Sequence, residues 1–140
     1  MILIDSNVLI DVFADDPVWR DWSLNALAEA AAAGPVVINS LVVAEVAPRY
    51  GELDDFLDRM ENMGICLEPF TETAAYAAGQ AFQDYRKKRL QDNVKVILPD
   101  FLIGGHARIL GADILTRDPR HYRNYFPDIS LITPEASFND

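Results

Sequence analysis

Met1-Ile-Leu-Ile-Asp5-Ser-Asn-Val-Leu-Ile-Asp11 is the stretch whose reading decides the fold. Ile2–Ile4 is a short unbroken apolar run, the pattern of a strand buried on both faces. Asn7–Phe13 reads as a short helix immediately after it. A buried strand feeding straight into a helix is how a βαβ unit begins, and such units build parallel sheets.

The same alternation continues outward. Pro17–Ala33 reads as a long helix, its Ala30–Ala33 end closed by Gly34-Pro35. Val36–Ile38 is a second strand. Ser40 can cap a helix through Arg49, and Glu52–Met63 forms another. Ile65–Leu67 is a third strand. Thr71 opens a helix to about Leu90, with Ala74, Ala75, Ala78 and Phe82 on one stripe. Pro99 stands in the first turn of a helix through Leu110, where its missing N–H is harmless. Ile114–Thr116 is a fourth strand and Leu131–Thr133 a fifth. The expected architecture is α/β: a three-layer α/β/α sandwich around a short-stranded, mainly parallel sheet, with residues 1–140 as a single domain. Such sheets bind ligands at the carboxyl ends of their strands.

Composition narrows the class. Half of the chain is hydrophobic and 24% is charged, as expected of a globular protein with a substantial core. No apolar run approaches the roughly 18 residues of a membrane span, and the acidic opening lacks the basic start of a secretory signal. The lone Cys66 excludes an intramolecular disulfide and suits a reducing cytoplasm. The net charge of −10 is unevenly spread: residues 1–85 carry −12, residues 86–123 carry +5, and the remainder −3. One basic segment in an acidic protein is compatible with a local phosphate-binding strip.

Four carboxylates stand where a structural sequence rarely puts them. Asp5 follows the first strand and Asp118 the fourth, each at a carboxyl end. Glu45 interrupts the apolar helix Leu41-Val42-Val43-Ala44-Glu45-Val46-Ala47, and Asp100 begins the Pro99 helix. Each has an ordinary structural alternative. Asp5 can cap a helix, Asp100 can favour a helix dipole, and Asp118 before Pro119 can form a turn. Glu45 is harder to dismiss, because a charge on an apolar helix is expensive unless paired or metal-bound. Together they converge on one sheet edge. Two bare carboxylates at ~4 Å repel by roughly 4 kcal/mol at an effective dielectric near 20, so four would protonate, splay or recruit a cation. Oxygen-only ligands favour Mg²⁺ or Mn²⁺ over zinc. No Cys/His pair has zinc spacing, and His106 and His121 read as surface or packing residues.

The pattern resembles the PIN domain, most closely the VapC-like toxins of toxin–antitoxin pairs. The matching stretches are Met1–Asp11, then Asn39-Ser-Leu-Val-Val-Ala-Glu45-Val, Leu98-Pro-Asp100-Phe-Leu-Ile-Gly-Gly-His-Ala107, and Ala112-Asp-Ile-Leu-Thr-Arg-Asp118-Pro-Arg-His-Tyr122. They run in order over nearly the whole chain. The resemblance implies a metal-dependent ribonuclease with Asp5, Glu45, Asp100 and Asp118 as its catalytic acids. Asp5, Asp100 and Asp118 would hold one or two Mg²⁺ or Mn²⁺ ions, with Glu45 as a ligand or a positioner of water. Ser6 and Thr116 fall at the family's hydroxyl positions. It also implies an RNA substrate, a VapB-like antitoxin, a homodimer and no membrane. Gly104-Gly105 departs from the family's usual alanines, and close packing of that helix on a neighbour or on an antitoxin could offset the loss of helix propensity.

For the RNA path, Arg86, Lys87, Lys88 and Arg89 end the long helix, where cations equally suit the dipole. Arg117 and Arg120 flank Asp118 and are better placed for phosphate. Trp19 and Trp22, three apart, read as core packing ahead of a partner anchor. Three rivals remain: a phosphatase of the haloacid-dehalogenase type, a PIN nuclease outside any toxin pair, and an inactive metal-binding or assembly module. The phosphatase needs an acid two residues after Asp5, where Asn7 stands, and a lysine after the second strand, where none occurs.

Overall fold

The computed structural model describes residues 1–88 and 98–134. Five strands form its central sheet: β1 (Ile2–Ile4), β2 (Val36–Ile38), β3 (Ile65–Leu67), β4 (Asp113–Leu115) and β5 (Leu131–Ile132). Their order is β3-β2-β1-β4-β5, and every neighbouring pair is parallel. β1 lies at the centre, with Ile2 in register with Val36 on one side and Asp113 on the other. All three of its residues are buried, which is why the sequence there is continuously apolar. From β1 the chain builds outward through β2 to β3, then returns to build β4 and β5 on the other side. The carboxyl ends of β1 and β4 therefore flank the point where strand order reverses, the usual place for a ligand crevice in an open α/β sheet.

The helices are α1 (Ser6–Phe13), α2 (Arg20–Ala33), α3 (Ser40–Val46), α4 (Leu53–Asn62), α5 (Glu72–Lys88), α6 (Leu98–Leu110) and α7 (Arg120–Tyr125). They complete the three-layer sandwich, and none among the described residues is long and apolar enough to cross a membrane. α6 is deeply set, with Phe101, Ile103 and Ala107 fully buried. Phe101 stacks on Tyr125 at 4.3 Å and meets Phe82 edge-on at 5.2 Å. Such pairs add about 0.5–1.5 kcal/mol to their burial.

Gly104-Gly105 now has a physical reason. A Cβ on Gly105 would sit 2.7 Å from the Ala78 backbone of α5, and one on Gly104 would collide with the Phe126 ring. Alanine would gain about 1 kcal/mol of propensity at each position, but only by pushing α5 away at Gly105 and displacing the Phe126 ring at Gly104. Contact within the chain accounts for the pair.

Several boundaries differ from the sequence expectation, each for a local reason. α2 begins at Arg20 rather than Pro17, because the Asp16 carboxylate accepts the N–H groups of Val18 and Trp19 and holds a turn there. Asn39, not Ser40, caps α3: its Oδ1 accepts the Val42 N–H at 3.1 Å. Beyond Val46 the chain tightens into a 3-10 turn, Ala47–Arg49, around Pro48. α7 has no apolar periodicity long enough to announce it. The expected end of α5 near Leu90 lies outside the described residues.

Candidate active site

Asp5 occupies the turn from β1 into α1. It does cap the helix, with Oδ1 accepting the Ser6 N–H at 2.8 Å. Its other oxygen faces the end of β4, where Oδ2 accepts the Thr116 hydroxyl at 2.9 Å and the Asn7 side-chain amide at 3.3 Å. Both oxygens of Asp5 are thus engaged, Oδ1 in the helix cap and Oδ2 at the end of β4. Thr116 is fully buried and in turn accepts the Asp118 N–H at 3.1 Å and the Asn7 amide at 3.2 Å. Asn7 closes the lattice by accepting the Arg117 N–H at 3.3 Å. These bonds lock the ends of β1 and β4 together.

Around this frame the four acids act on one another. Asp100, in the first turn of α6 with 19% of its side chain exposed, has its pKa raised to about 7. Burial is the main cause, followed by the charges of Asp5, Glu45 and Asp118. Burial also raises Asp5, against the hydrogen bonds from Thr116 and the Ser6 N–H and the pull of the nearby Tyr122 hydroxyl, and Asp118 adds to the rise. Glu45 is raised by lost hydration and then by Asp5, with the Ser6 hydroxyl opposing. Its side chain nonetheless lies on the exposed side of α3, where Val42 and Val46 face inward. Glu45 is therefore less buried than its place on an apolar helix implied, and it stands within reach of Asp5 and the Ser6 hydroxyl.

Asp118 behaves differently. Arg120 grips both its oxygens, Nε to Oδ1 at 3.0 Å and Nη2 to Oδ2 at 3.2 Å, and that bond holds the carboxyl below its usual range. As the side chains stand, no three of His, Cys, Asp and Glu among the described residues are close enough to hold one ion between them. The donor chemistry still suits a hard divalent cation: the set is all oxygen, and the charges of Asp5, Glu45 and Asp118 each raise a neighbouring acid.

Two neighbours were not singled out from sequence as site residues. His121 Nε2 lies 3.9 Å from Asp100 Oδ2. Tyr122 is buried beneath the acids, and its hydroxyl has no partner of acceptable geometry. It is near enough to Asp5 to stabilise that charge without completing a hydrogen bond. Burial, then Asp5 and Asp100, push its phenol well above the ordinary value. The available signal was position, since both follow Asp118 on α7. His106, by contrast, is a packing residue as expected. With Asn39 Oδ1 spent on the α3 cap, the Asn39 amide donates to His106 Nδ1 at 3.1 Å, and the ring meets Phe70 edge-on.

The expected basic strip is mostly engaged elsewhere. Arg117 Nε bonds the buried Asp11 at 2.8 Å, and its guanidinium lies over the half-buried Trp19 ring at 5.6 Å. Trp22 packs partly into the core and meets Trp19 edge-on. Arg120 holds Asp118. Arg86 and Lys87 are exposed at the end of α5, with Arg86 over the Phe82 ring at 5.9 Å. Arg89 and the side chain of Lys88 lie outside the described residues.

An all-parallel sheet with acids gathered at the β1/β4 edge defines the class. Residues 2–127 match the family model of the PIN domain, and the chain belongs to that family. No curated protein sequence gives a match. Among solved structures, the chain is similar to VapBC2 from Rickettsia felis bound to a DNA fragment from its promoter, at 18% identity and a TM-score of 0.72, covering 95% of this chain and 98% of that one. It is similar to a toxin–antitoxin complex from Klebsiella pneumoniae at 23% identity and a TM-score of 0.66, covering 96% and 98%. VapC20 from Mycobacterium tuberculosis, described as a toxin cleaving the sarcin-ricin loop, matches at 15% identity and a TM-score of 0.54, covering 81% and 87%. At these identities the likeness speaks for the fold.

Proposed function

We propose that this protein is a divalent-metal-dependent ribonuclease and the toxin of a VapBC-type pair, with Asp5, Glu45, Asp100 and Asp118 as its catalytic acids. The observation that carries the reading is Asp100. Its carboxyl is pushed to about 7 by burial and by three other acids arriving from separate elements, a crowding that a divalent cation would relieve. Membership of the PIN family and the likeness to toxin–antitoxin structures support the same reading.

Asp5, Asp100 and Asp118 would hold Mg²⁺ or Mn²⁺, and Glu45 would ligate or orient water. The bound ion supplies a nucleophilic water near neutral pH and offsets charge on the phosphate. Thr116, Asn7 and the Ser6 N–H fix Asp5, leaving its Oδ1 edge for a ligand. Arg120, 79% exposed, is placed to exchange Asp118 for an RNA phosphate, and Arg86, Lys87 and Arg117 lie on the same basic segment. The proposed partners are a VapB-like antitoxin and a second copy of the chain, in the cytoplasm. An apolar groove of about 160 Å³ between α3 and α4, floored by Val43, Tyr50, Leu53 and Phe56, offers a seat for an apolar side chain of the former.

The test is cleavage of a mixed RNA pool with Mg²⁺, with Mn²⁺ and with EDTA, beside Asp5→Asn. Cleavage in metal alone, lost by roughly 10³-fold or more in the variant, is expected. Undiminished cleavage by Asp5→Asn and by Asp100→Asn would end the proposal.

A further inference from the structure

The Tyr122 hydroxyl is a group the fold leaves unexplained. Its side chain is 1% exposed and packed into the core, yet its oxygen has no hydrogen-bond partner. A buried hydroxyl without a partner is destabilising, and phenylalanine would fill the same space without that cost. The position is also not neutral ground. Four residues after Asp118, on the first turns of α7, the phenol points at the floor of the acidic pocket, where Asp5, Asp100 and Glu45 are the charges it feels.

We propose that Tyr122 is a positioning residue of the metal site, its phenol O–H being the donor that holds Asp5 in the orientation a divalent cation requires. A phenol suits this place better than the alternatives. It is a neutral donor on a rigid ring, so it stabilises a carboxylate without adding a cation that would compete with the metal. Asp5 Oδ2 already accepts from Thr116 and Asn7, and Oδ1 from the Ser6 N–H. Oδ1 carries the fewer of these bonds, and a bound ion would fix the carboxylate where the phenol can donate to it. The orphaned hydroxyl then gains its acceptor when the site closes on its ion, so the destabilisation stored in the metal-free protein is released by binding.

The inference rests on the reading of the acids as a metal site, and its test needs no catalysis. Binding of Mn²⁺ alone would be measured by calorimetric titration on the wild type and on Tyr122→Phe, with thermal unfolding of both metal-free proteins alongside. Removing one hydrogen bond to a charged group should weaken Mn²⁺ binding by about tenfold, while metal-free Tm stays the same or rises. In the cleavage assay kcat should fall by a similar factor, with KM for RNA changed by less than about twofold. Equal Mn²⁺ affinity in the two proteins overturns the inference. Wild type that binds Mn²⁺ more tightly than Tyr122→Phe yet cleaves no RNA would sink the ribonuclease reading and leave the Tyr122 role standing.

Discussion

Asp5 and Asp11 belong to one motif and stand at either end of the same short helix, but they face opposite situations. Asp11 is the more deeply buried, at 1% exposure, and is fully answered: Ser23 donates to its Oδ2 at 2.8 Å and Arg117 does the same from the β4–α7 connection. Asp5 is answered by a hydroxyl, an amide and a backbone N–H, with no cation bonded to it, and it looks towards other acids. One region ties α1 to α2 and to the connection after β4. The other holds charge in suspense. Burial therefore does not by itself mark the site; uncompensated charge does.

That contrast can be broken from either side. The largest effect should be the loss of cleavage in Asp5→Asn, against which Asp11→Asn makes the informative partner. Removing the Asp11 charge strands Arg117, so we expect a loss of about 3 kcal/mol in urea unfolding. Residual activity per folded molecule should fall far less than in Asp5→Asn. If Asp11→Asn lost activity as completely while staying folded, the division between a structural and a chemical carboxylate would be wrong.

Next in size is a stabilisation. The folded state keeps Asp100 protonated up to about 7, whereas the unfolded chain releases that proton near 3.8. The native state thus binds more protons across this window, and metal-free stability from this group falls as pH rises through it. Asp100→Asn, which mimics the neutral form, should raise metal-free Tm at pH 7.5 by about 4–8 °C. Below pH 4 the difference should vanish. A variant that melts lower than the wild type at pH 7.5 would show that Asp100 is paired rather than crowded.

The same group sharpens the metal dependence. Since Asp100 must lose its proton to ligate, Mn²⁺ affinity should weaken by up to about tenfold for each pH unit below 7. Flat affinity between pH 6 and 8 would place the ion away from Asp100. The smallest effect is expected at the basic segment. Arg120→Glu or Lys87→Glu should weaken RNA binding a fewfold and flatten its salt dependence by about one charge each, read from binding at several salt concentrations. Arg117→Glu would be misleading as a test of RNA contact, because it would also break the Asp11 network.

Much of this was legible in the chain itself. The short strands, their alternation with helices and the four motif acids depend on local pattern, because a strand buried on both faces must be apolar and its carboxyl end is where polar residues return. The Asp16 turn before α2, the shift from Ser40 to Asn39 and the short α7 escaped notice, since each turns on one side chain or on too few residues to show a period. Gly104-Gly105 looked like a weakness in a helix until Phe126 and the Ala78 backbone were found where methyl groups would go.

The amino-acid order alone determined which residues would stand at the ends of the strands, since hydrophobic runs and their interruptions are local properties. Only the tertiary structure decided what each charge would meet there. It gave Arg117 to Asp11 and Arg120 to Asp118, left Asp100 among like charges, and placed the Tyr122 hydroxyl beneath them without a partner. Electrostatic energy depends on distance and burial between residues as much as 111 positions apart, as Asp5 and Thr116 are, and no local pattern encodes those distances.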